Sequence, residues 1–152
     1  MMDQIDWWEC ERMRLVQEDI ILRHATVDDA KQLVVWWNDG SVMAHAGFPN
    51  GLGTTEEKVK KSIEKDSDEN GRRLIIEFKG KAIGEMCYRN QEDNIAEIGI
   101  KICEASYQEK GIGRCVLRML IQYLFQNGYK KIVLDTDLKN KRAQHVYEML
   151  GF

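Results

Sequence analysis

Hydrophobic and polar residues alternate over several short stretches of the chain, with the period of a strand that buries one face. Lys79-Gly80-Lys81 separates two of these stretches and has the composition of a hairpin turn, with Gly80 at a position of positive φ. The pattern therefore predicts a sheet that contains an antiparallel hairpin. The predicted strands are residues 20–23, 74–78, 82–88, 95–103 and 131–138.

Apolar residues spaced three and four positions apart predict helices elsewhere in the chain. Thr26 and Asp29 form a T-x-x-D capping signal for a helix that runs to about Trp37. A charged helix with a narrow apolar stripe is predicted over residues 55–65. Residues 41–53, which contain the single proline of the chain and three glycines, are predicted to form a loop.

The most buried helix is predicted at residues 112–126, and a last helix begins at Asn140. Together, the hairpin and the following strand–helix–strand–helix succession predict a mixed α/β fold. Its sheet is mostly antiparallel, is flanked by helices and has one parallel crossover. Residues 1–18 are predicted to be an N-terminal extension with one or two helical turns. Residues 19–152 then form a single domain, long enough to bury a proper core.

The composition excludes several classes of protein. With 43% hydrophobic and 31% charged residues the chain is typical of globular proteins, and no apolar run is long enough to cross a bilayer. A net charge of −3 gives no basic surface for nucleic acid. The four cysteines contain no C-x-x-C pair and the three histidines are scattered, so no metal site is predicted. A reducing cytoplasm is the expected location.

The stretch Gln108-Glu109-Lys110-Gly111-Ile112-Gly113-Arg114, called the glycine loop below, joins the strand at 95–103 to the helix at 112–126. Glycines let a ligand approach the backbone closely, and the first N–H groups of a helix point outwards at its positive end. Such a site favours phosphate, and Lys110 and Arg114 add positive charge. The alternative is a tight turn that binds nothing.

The spacing of the glycine loop narrows the choice of phosphate ligand. The loop has neither the G-x-x-x-x-G-K-[ST] pattern of nucleotide-triphosphate loops nor the three glycines of the dinucleotide fingerprint. It resembles the Q/R-x-x-G-x-G/A motif of the GNAT superfamily of acetyltransferases. The stretch from Asn140 to Phe152 resembles a second motif of that superfamily, N-x-x-[SA]-x-x-x-Y-x-x-x-G-F. The resemblance covers residues 20–152.

The resemblance implies acetyl-coenzyme A as the cosubstrate, with its pyrophosphate on the glycine loop. It also implies that the pantetheine arm lies along the strand that ends near Ile102 and Cys103, and that a backbone N–H near Ile102 polarises the thioester carbonyl. The implied cofactor-binding residues are Ile102, Cys103, Gln108, Glu109, Lys110, Gly111, Ile112, Gly113, Arg114 and Asn140.

An alkyl amine has a pKa near 10.4 and must lose a proton before it attacks the thioester. Glu97 matches the carboxylate that some members of the superfamily place on this strand, so it is the candidate base. The alternative is a half-exposed glutamate paired with a lysine. Tyr147 matches the tyrosine that protonates the leaving thiolate, although its spacing also suits packing on the apolar face of the last helix.

The expected function is an N-acetyltransferase without a metal, in which a primary amine attacks acetyl-coenzyme A directly in a ternary complex. The amine belongs to a small molecule or a peptide, and no nucleic acid or membrane partner is expected. Two alternatives are a non-catalytic module that binds acetyl-coenzyme A and a plain interaction domain. The aromatic residues and the histidine near the first loop could line the acceptor site, or be buried instead: Trp36, Trp37, His45 and Phe48.

The superfamily normally continues past the Gly-Phe pair into one or two further strands, whereas this sequence ends at Phe152. The sheet is therefore expected to lack those final strands. An open edge of this kind invites pairing with another chain, so two copies could form a homodimer.

Overall fold

Six strands form one sheet in the computed structural model, which describes residues 13–134. Every strand lies beside its neighbour in sequence, and all pairs are antiparallel except β5 with β6, which are parallel. The mixed α/β class and the parallel crossover are therefore confirmed. The strands are β1 (Arg14–Gln17), β2 (Ile20–His24), β3 (Gly71–Phe78), β4 (Lys81–Gln91), β5 (Ile95–Ile102) and β6 (Lys131–Leu134).

Helices cover the two faces of this sheet, and none of those in the described range is both long and apolar enough to cross a membrane. Short 3₁₀ turns occupy 27–29, 44–46, 92–94 and 105–107. The α-helices are α1 (Ala30–Trp37), α2 (Gly40–Met43), α3 (Glu56–Glu64) and α4 (Ile112–Gln126).

The core has two layers because β3 is buried on both faces. Leu74 and Ile76 pack on the α4 side, whereas Ile75 between them packs with α1 and α3. This explains why β3 contains a continuous apolar run in the sequence rather than an alternation. The α4 layer also contains Leu22, Met86, Ile98, Val116, Leu117, Leu120 and Leu124, and the other layer contains Ala30, Leu33, Trp36, Val59 and Ile63.

Two parts of the chain differ from the sequence-based prediction. Residues 14–17 were expected in an extension with helical turns, but they form β1, in which Arg14 pairs with Arg23. The predicted loop at 41–53 begins with α2, because the Asp39 side chain accepts a hydrogen bond from the Ser41 N–H at 2.9 Å and caps a short helix. The division of the chain at residue 18 stays a prediction.

Arg23 of β2 connects three elements through two carboxylates. Its Nη1 and Nη2 donate to Asp29 at 2.8 and 2.9 Å, and its Nε donates to Glu77 of β3. Burial raises the pKa of Asp29, but hydrogen bonds from Arg23 and Thr26 outweigh burial and hold that pKa below its ordinary value. The pair therefore contributes stability above the unfolded pKa of Asp29, and this contribution is lost as the pH falls through the lower folded value.

We expect Arg23→Ala to lower the free energy of unfolding by about 2 kcal/mol at pH 7. The loss should shrink at pH 3, below the ordinary pKa of Asp29, because keeping this carboxylate ionised in the folded protein then costs free energy. Urea unfolding at the two pH values measures both losses, and Arg14→Ala, at the exposed position opposite Arg23, is the matched control. An equal loss at both pH values would contradict this account.

Candidate functional site

The glycine loop follows the end of β5 and is fixed to it by one side chain. A 3₁₀ turn, Ala105–Tyr107, leads into Gln108, whose Nε2 donates to the backbone oxygen of Ile102 at 2.9 Å. The predicted cofactor-binding Gln108 therefore positions the loop on the strand. The connection brings the start of α4 beside the last residues of β5.

The glycine loop turns sharply into α4. Gly111 has φ = 80°, in the left-handed region that favours glycine, and its oxygen accepts the first helical hydrogen bond, from the Cys115 N–H at 3.2 Å. The N–H groups of Ile112 and Gly113 have no hydrogen-bond acceptor among residues 13–134. They form the positive end of the helix dipole, which is a site for an anion.

The space outside these N–H groups is open. A Cβ added to Gly111 would meet nothing within 4 Å, and one added to Gly113 would lie 3.8 Å from the Ile100 side chain. A cleft of about 430 Å³ lies beside them. Two lysines add positive charge at the rim of the cleft. Lys110 lines the cleft, and Lys81 Nζ lies 5.6 Å from the centre of the Tyr107 ring, which forms part of the wall. The cleft is lined by Phe78, Ser106, Tyr107, Lys110 and Ile112.

The edge of β5 facing away from β4 is paired over half of its length. β5 and β6 pair from Ile95 with Lys131 to Ile98 with Leu134. Beyond Ile98, the remaining residues of β5 pair with β4 and with no other strand in the described part of the chain. Backbone groups at this end of β5 can therefore bind an extended ligand.

Glu97 and Lys101 lie on the face of β5 that is turned away from α4, called the open face below. They stand opposite Arg89 and Glu85 of β4. Glu97 Oε2 accepts a hydrogen bond from Gln91 Nε2 at 2.7 Å, and Lys101 Nζ lies 3.8 Å from Glu85 Oε1. The lysine of the open face is thus paired with Glu85, and the candidate base Glu97 is bound by a neutral amide.

Glu85 is a residue of the open face that the sequence reasoning missed. Its Oε2 accepts a hydrogen bond from Trp37 Nε1 at 2.7 Å, so the carboxylate is held between an indole and Lys101. Trp37 is half-buried and contacts the open face, as the predicted acceptor site requires. Trp36 is 3% exposed and belongs to the core. His45 and Phe48 are exposed, and no hydrogen bond in the described range joins either of them to Glu85 or Glu97.

Cys103, at the end of β5, is buried and its Sγ donates to the backbone oxygen of Lys101 at 3.7 Å. Burial, reinforced by the charge of Glu85, raises the pKa of the Cys103 thiol far above its ordinary value. Because the thiolate is the reactive form of cysteine, Cys103 is a poor nucleophile. This arrangement disfavours an acyl-cysteine intermediate at the end of β5.

We expect the thiols of Cys87 and Cys103 to react with iodoacetamide at pH 8 at least tenfold more slowly in the folded protein than in urea. Burial raises the pKa of Cys87 as well, so neither side chain forms much thiolate. Peptide mass spectrometry over a time course measures the rate at each cysteine. Rapid modification of Cys103 in the folded protein would show that it is accessible and reactive, against this account.

The remaining predicted residues, Asn140 and Tyr147, lie outside the described residues, and their roles stay predictions. Within residues 13–134, no group of three or more histidine, cysteine, aspartate or glutamate side chains is placed to hold a metal ion. Within residues 13–134, the structure therefore brings together the glycine loop, the part of the β5 edge beyond Ile98 that is unpaired in this range (the free edge below) and the carboxylates of the open face.

A family model described as an acetyltransferase (GNAT) domain matches residues 19–152. The chain belongs to the GNAT acetyltransferase family. This confirms the resemblance carried by the glycine loop and by the residues from Asn140 to Phe152. The GNAT family uses acetyl-coenzyme A, so the predicted cosubstrate and enzyme class are confirmed at the level of the family.

Two curated relatives match about half of this GNAT chain. N-acetylaspartate synthetase of Xenopus tropicalis is 35% identical over 79 residues, which are 51% of this chain and 29% of that protein. N-acetylaspartate synthetase of Danio rerio is 29% identical over 79 residues, which are 51% of this chain and 28% of that protein. The matched stretch is thus less than a third of the length of either relative.

Solved structures share the fold of this GNAT chain. The aminoglycoside acetyltransferase AAC(6')-Ib in complex with coenzyme A gives a TM-score of 0.74 at 23% identity, covering 88% of this chain and 83% of that chain. A probable acetyltransferase gives a TM-score of 0.78 at 24% identity, covering 92% of this chain and 82% of that chain. These similarities establish the arrangement of the sheet and its helices.

Proposed function

We propose that the protein transfers an acetyl group from acetyl-coenzyme A to a primary amine by direct attack in a ternary complex. The observation that carries the proposal is the start of α4, where the N–H groups of Ile112 and Gly113 face an open cleft. A pyrophosphate placed there accepts these hydrogen bonds and lies at the positive end of the helix. Lys110, on the wall of the cleft, adds charge that favours the same group.

The free edge of β5 supports a place for the pantetheine arm. The Cys103 N–H donates to the Ile83 oxygen at 2.9 Å and so faces β4. Because backbone groups alternate in direction along a strand, those of Ile102 and Ile100 face the free edge. The bond from Gln108 to the Ile102 oxygen agrees with this direction. The amides of the pantetheine arm can pair there like an added strand.

The distance from the candidate base favours one position for the thioester carbonyl. Glu97 is five residues from Ile102, about 16 Å along the strand, which is too far for a base that acts through one water. Ile100 is three residues from Glu97, about 10 Å, and a glutamate side chain with one water spans most of that distance. We therefore place the carbonyl at the Ile100 N–H instead of the Ile102 N–H.

The two carboxylates of the open face are suited to different tasks. Glu85 is paired with Lys101 through one carboxylate oxygen and accepts a hydrogen bond from Trp37 through the other, so both of its oxygens already have partners. We assign Glu85 to the positioning of the acceptor and Glu97 to proton removal. Tyr147 as the acid that protonates the thiolate, and Asn140 beside the pantetheine arm, complete the proposal from the sequence motif.

The acceptor that we propose first is an amino acid with a free primary amine. The relatives that match half of the chain are named N-acetylaspartate synthetases. The open face combines the carboxylates of Glu85 and Glu97 with the cations of Arg89 and Lys101, and both charges of an amino acid find partners there. Aminoglycosides are the second class, because similar folds have been solved with ribostamycin and kanamycin. The cytoplasmic location and the homodimer stay predictions.

Calorimetric titration with acetyl-coenzyme A, followed by a thiol-release assay, tests the proposal. The amine panel contains aspartate, other amino acids, kanamycin and a tripeptide with a free N-terminus. Saturable binding with amine-dependent release of thiol supports the proposal, and the panel identifies the class of acceptor. Binding without release from any amine favours the non-catalytic module. No binding at millimolar concentrations by the folded protein contradicts both.

A further inference from the structure

A second cavity, of about 280 Å³, lies at the opposite end of α4 from the glycine loop. The 15 residues of α4 separate the two sites by about 22 Å. Tyr88, Tyr123 and Tyr129 line this cavity together with Asp68 and with the amides of Asn90 and Asn127. We call it the tyrosine cavity. The proposed acetyl transfer uses none of these residues.

The hydroxyl groups of the tyrosine cavity have no hydrogen-bond partner within residues 13–134. Tyr88 is 3% exposed, and the phenols of Tyr123 and Tyr129 are partly buried beside it. Burial raises the pKa of all three, so each is a neutral phenol. The Tyr88 hydroxyl is not sealed in the core but opens into the cavity, where a ligand can reach it.

The other unused groups around the tyrosine cavity are hydrogen-bond acceptors. Asn90 Nδ2 donates to the backbone oxygen of Glu69 at 2.8 Å, and Asn127 Nδ2 donates to the backbone oxygen of Tyr123 at 2.7 Å. Neither amide oxygen accepts a hydrogen bond within the described range. Asp68 Oδ1 accepts a hydrogen bond from Arg72 Nε at 2.6 Å, so the charges of Asp68 and Arg72 compensate each other. The second carboxylate oxygen, Oδ2, is left for a ligand.

We propose that the tyrosine cavity binds a small organic cation that carries a primary ammonium group. The three N–H bonds of an ammonium match the unused amide and carboxylate oxygens, and the faces of tyrosine rings attract cations. The negative end of the α4 dipole lies beside the cavity and favours the same charge. The cavity volume of about 280 Å³ is slightly below the range for drug-sized ligands, which starts at about 300 Å³, so the cation is small.

Titration of the full chain, labelled with ¹³C at tyrosine, with n-butylammonium chloride tests this proposal by NMR. The resonances of Tyr88, Tyr123 and Tyr129 should shift along one saturable curve. Tyr107, beside the glycine loop, should not shift, which separates this site from the proposed acetyltransferase site. The neutral 1-pentanol, of similar size, is the matched control and should leave the three resonances in place.

Two variants test the groups that recognise the cation. We expect Asp68→Asn to weaken the Kd for n-butylammonium at least tenfold and Tyr88→Phe to weaken it about fivefold. Asp28→Asn, at a distant exposed position, should leave the Kd unchanged. Asp68 is exposed, so its replacement preserves the fold. The proposal is overturned by the absence of a saturable shift at 50 mM, by equal binding of 1-pentanol, or by unchanged binding to Asp68→Asn.

Discussion

Gly113→Leu is expected to weaken the binding of acetyl-coenzyme A by about 30- to 150-fold without unfolding the protein, whereas Gly113→Ala, which the Q/R-x-x-G-x-G/A motif permits, should bind like the parent. The longer leucine side chain is expected to occupy part of the space in which a phosphate oxygen approaches the N–H groups of Ile112 and Gly113. Loss of one charge-assisted hydrogen bond costs about 2–3 kcal/mol, which corresponds to that change in Kd. Calorimetric titration of parent and variant measures the effect directly.

The fold should tolerate a side chain here because a Cβ on Gly113 meets only the Ile100 side chain, at an ordinary contact distance of 3.8 Å. Alanine and leucine also favour a helix over glycine by about 0.5–1 kcal/mol, so the melting temperature of both variants should stay level or rise. Gly113→Ala is therefore the matched control, and Gln122→Ala, on the exposed side of α4, should also bind like the parent. Unchanged binding by a folded Gly113→Leu variant would remove the glycine loop from the cofactor site.

Gly111 offers a less direct test of the same idea. Its φ of 80° is strained for any residue with a Cβ, although the space around it is open. Gly111→Ala should therefore lower stability as well as affinity, and a loss of binding could arise from either cause. The contrast between the two glycines shows why the Gly113 variant isolates ligand contact from backbone strain.

The elements that position the glycine loop could be predicted because their signals are local. α4 begins and ends at the residues predicted from its apolar pattern, Ile112 and Gln126, and the turn at Lys79 and Gly80 has the positive φ values of a tight hairpin. The capping signal of Thr26 was also correct, since its N–H donates to Asp29 Oδ2 at 2.8 Å. In each case, neighbouring residues determine the structure.

The remaining features depend on partners that are far away in the sequence. β1 is only four residues long and mostly exposed, so it is defined by its pairing with β2 more than by its own pattern. Nothing in the sequence of β4 distinguishes Glu85 from other strand glutamates. Its role follows from Trp37, 48 residues earlier, and from Lys101 on the next strand. Contacts of this kind become visible only once the chain is folded.

Glu97→Gln is expected to lower kcat by about 100- to 10,000-fold, the range for removal of a general base, while the Kd for acetyl-coenzyme A stays unchanged. The amide oxygen of the new side chain can still accept the hydrogen bond from Gln91, so the geometry of the strand is kept. The rate of the variant should recover with rising pH only as the free amine becomes deprotonated. Steady-state kinetics from pH 6 to pH 10 measures both effects, with Glu92→Gln as the exposed control.

A comparison with Glu85→Gln separates removal of a proton from positioning of the acceptor. Loss of the charge that faces Lys101 should raise the KM for the amine and change kcat little, because we assign Glu85 to the positioning of the acceptor and not to proton removal. If Glu85→Gln lowers kcat as strongly as we expect for Glu97→Gln, and Glu97→Gln is nearly as active as the parent, the two roles must be exchanged. The thioester would then lie near Ile102, beside the pair of Gly84 and Ile102 that joins β4 to β5.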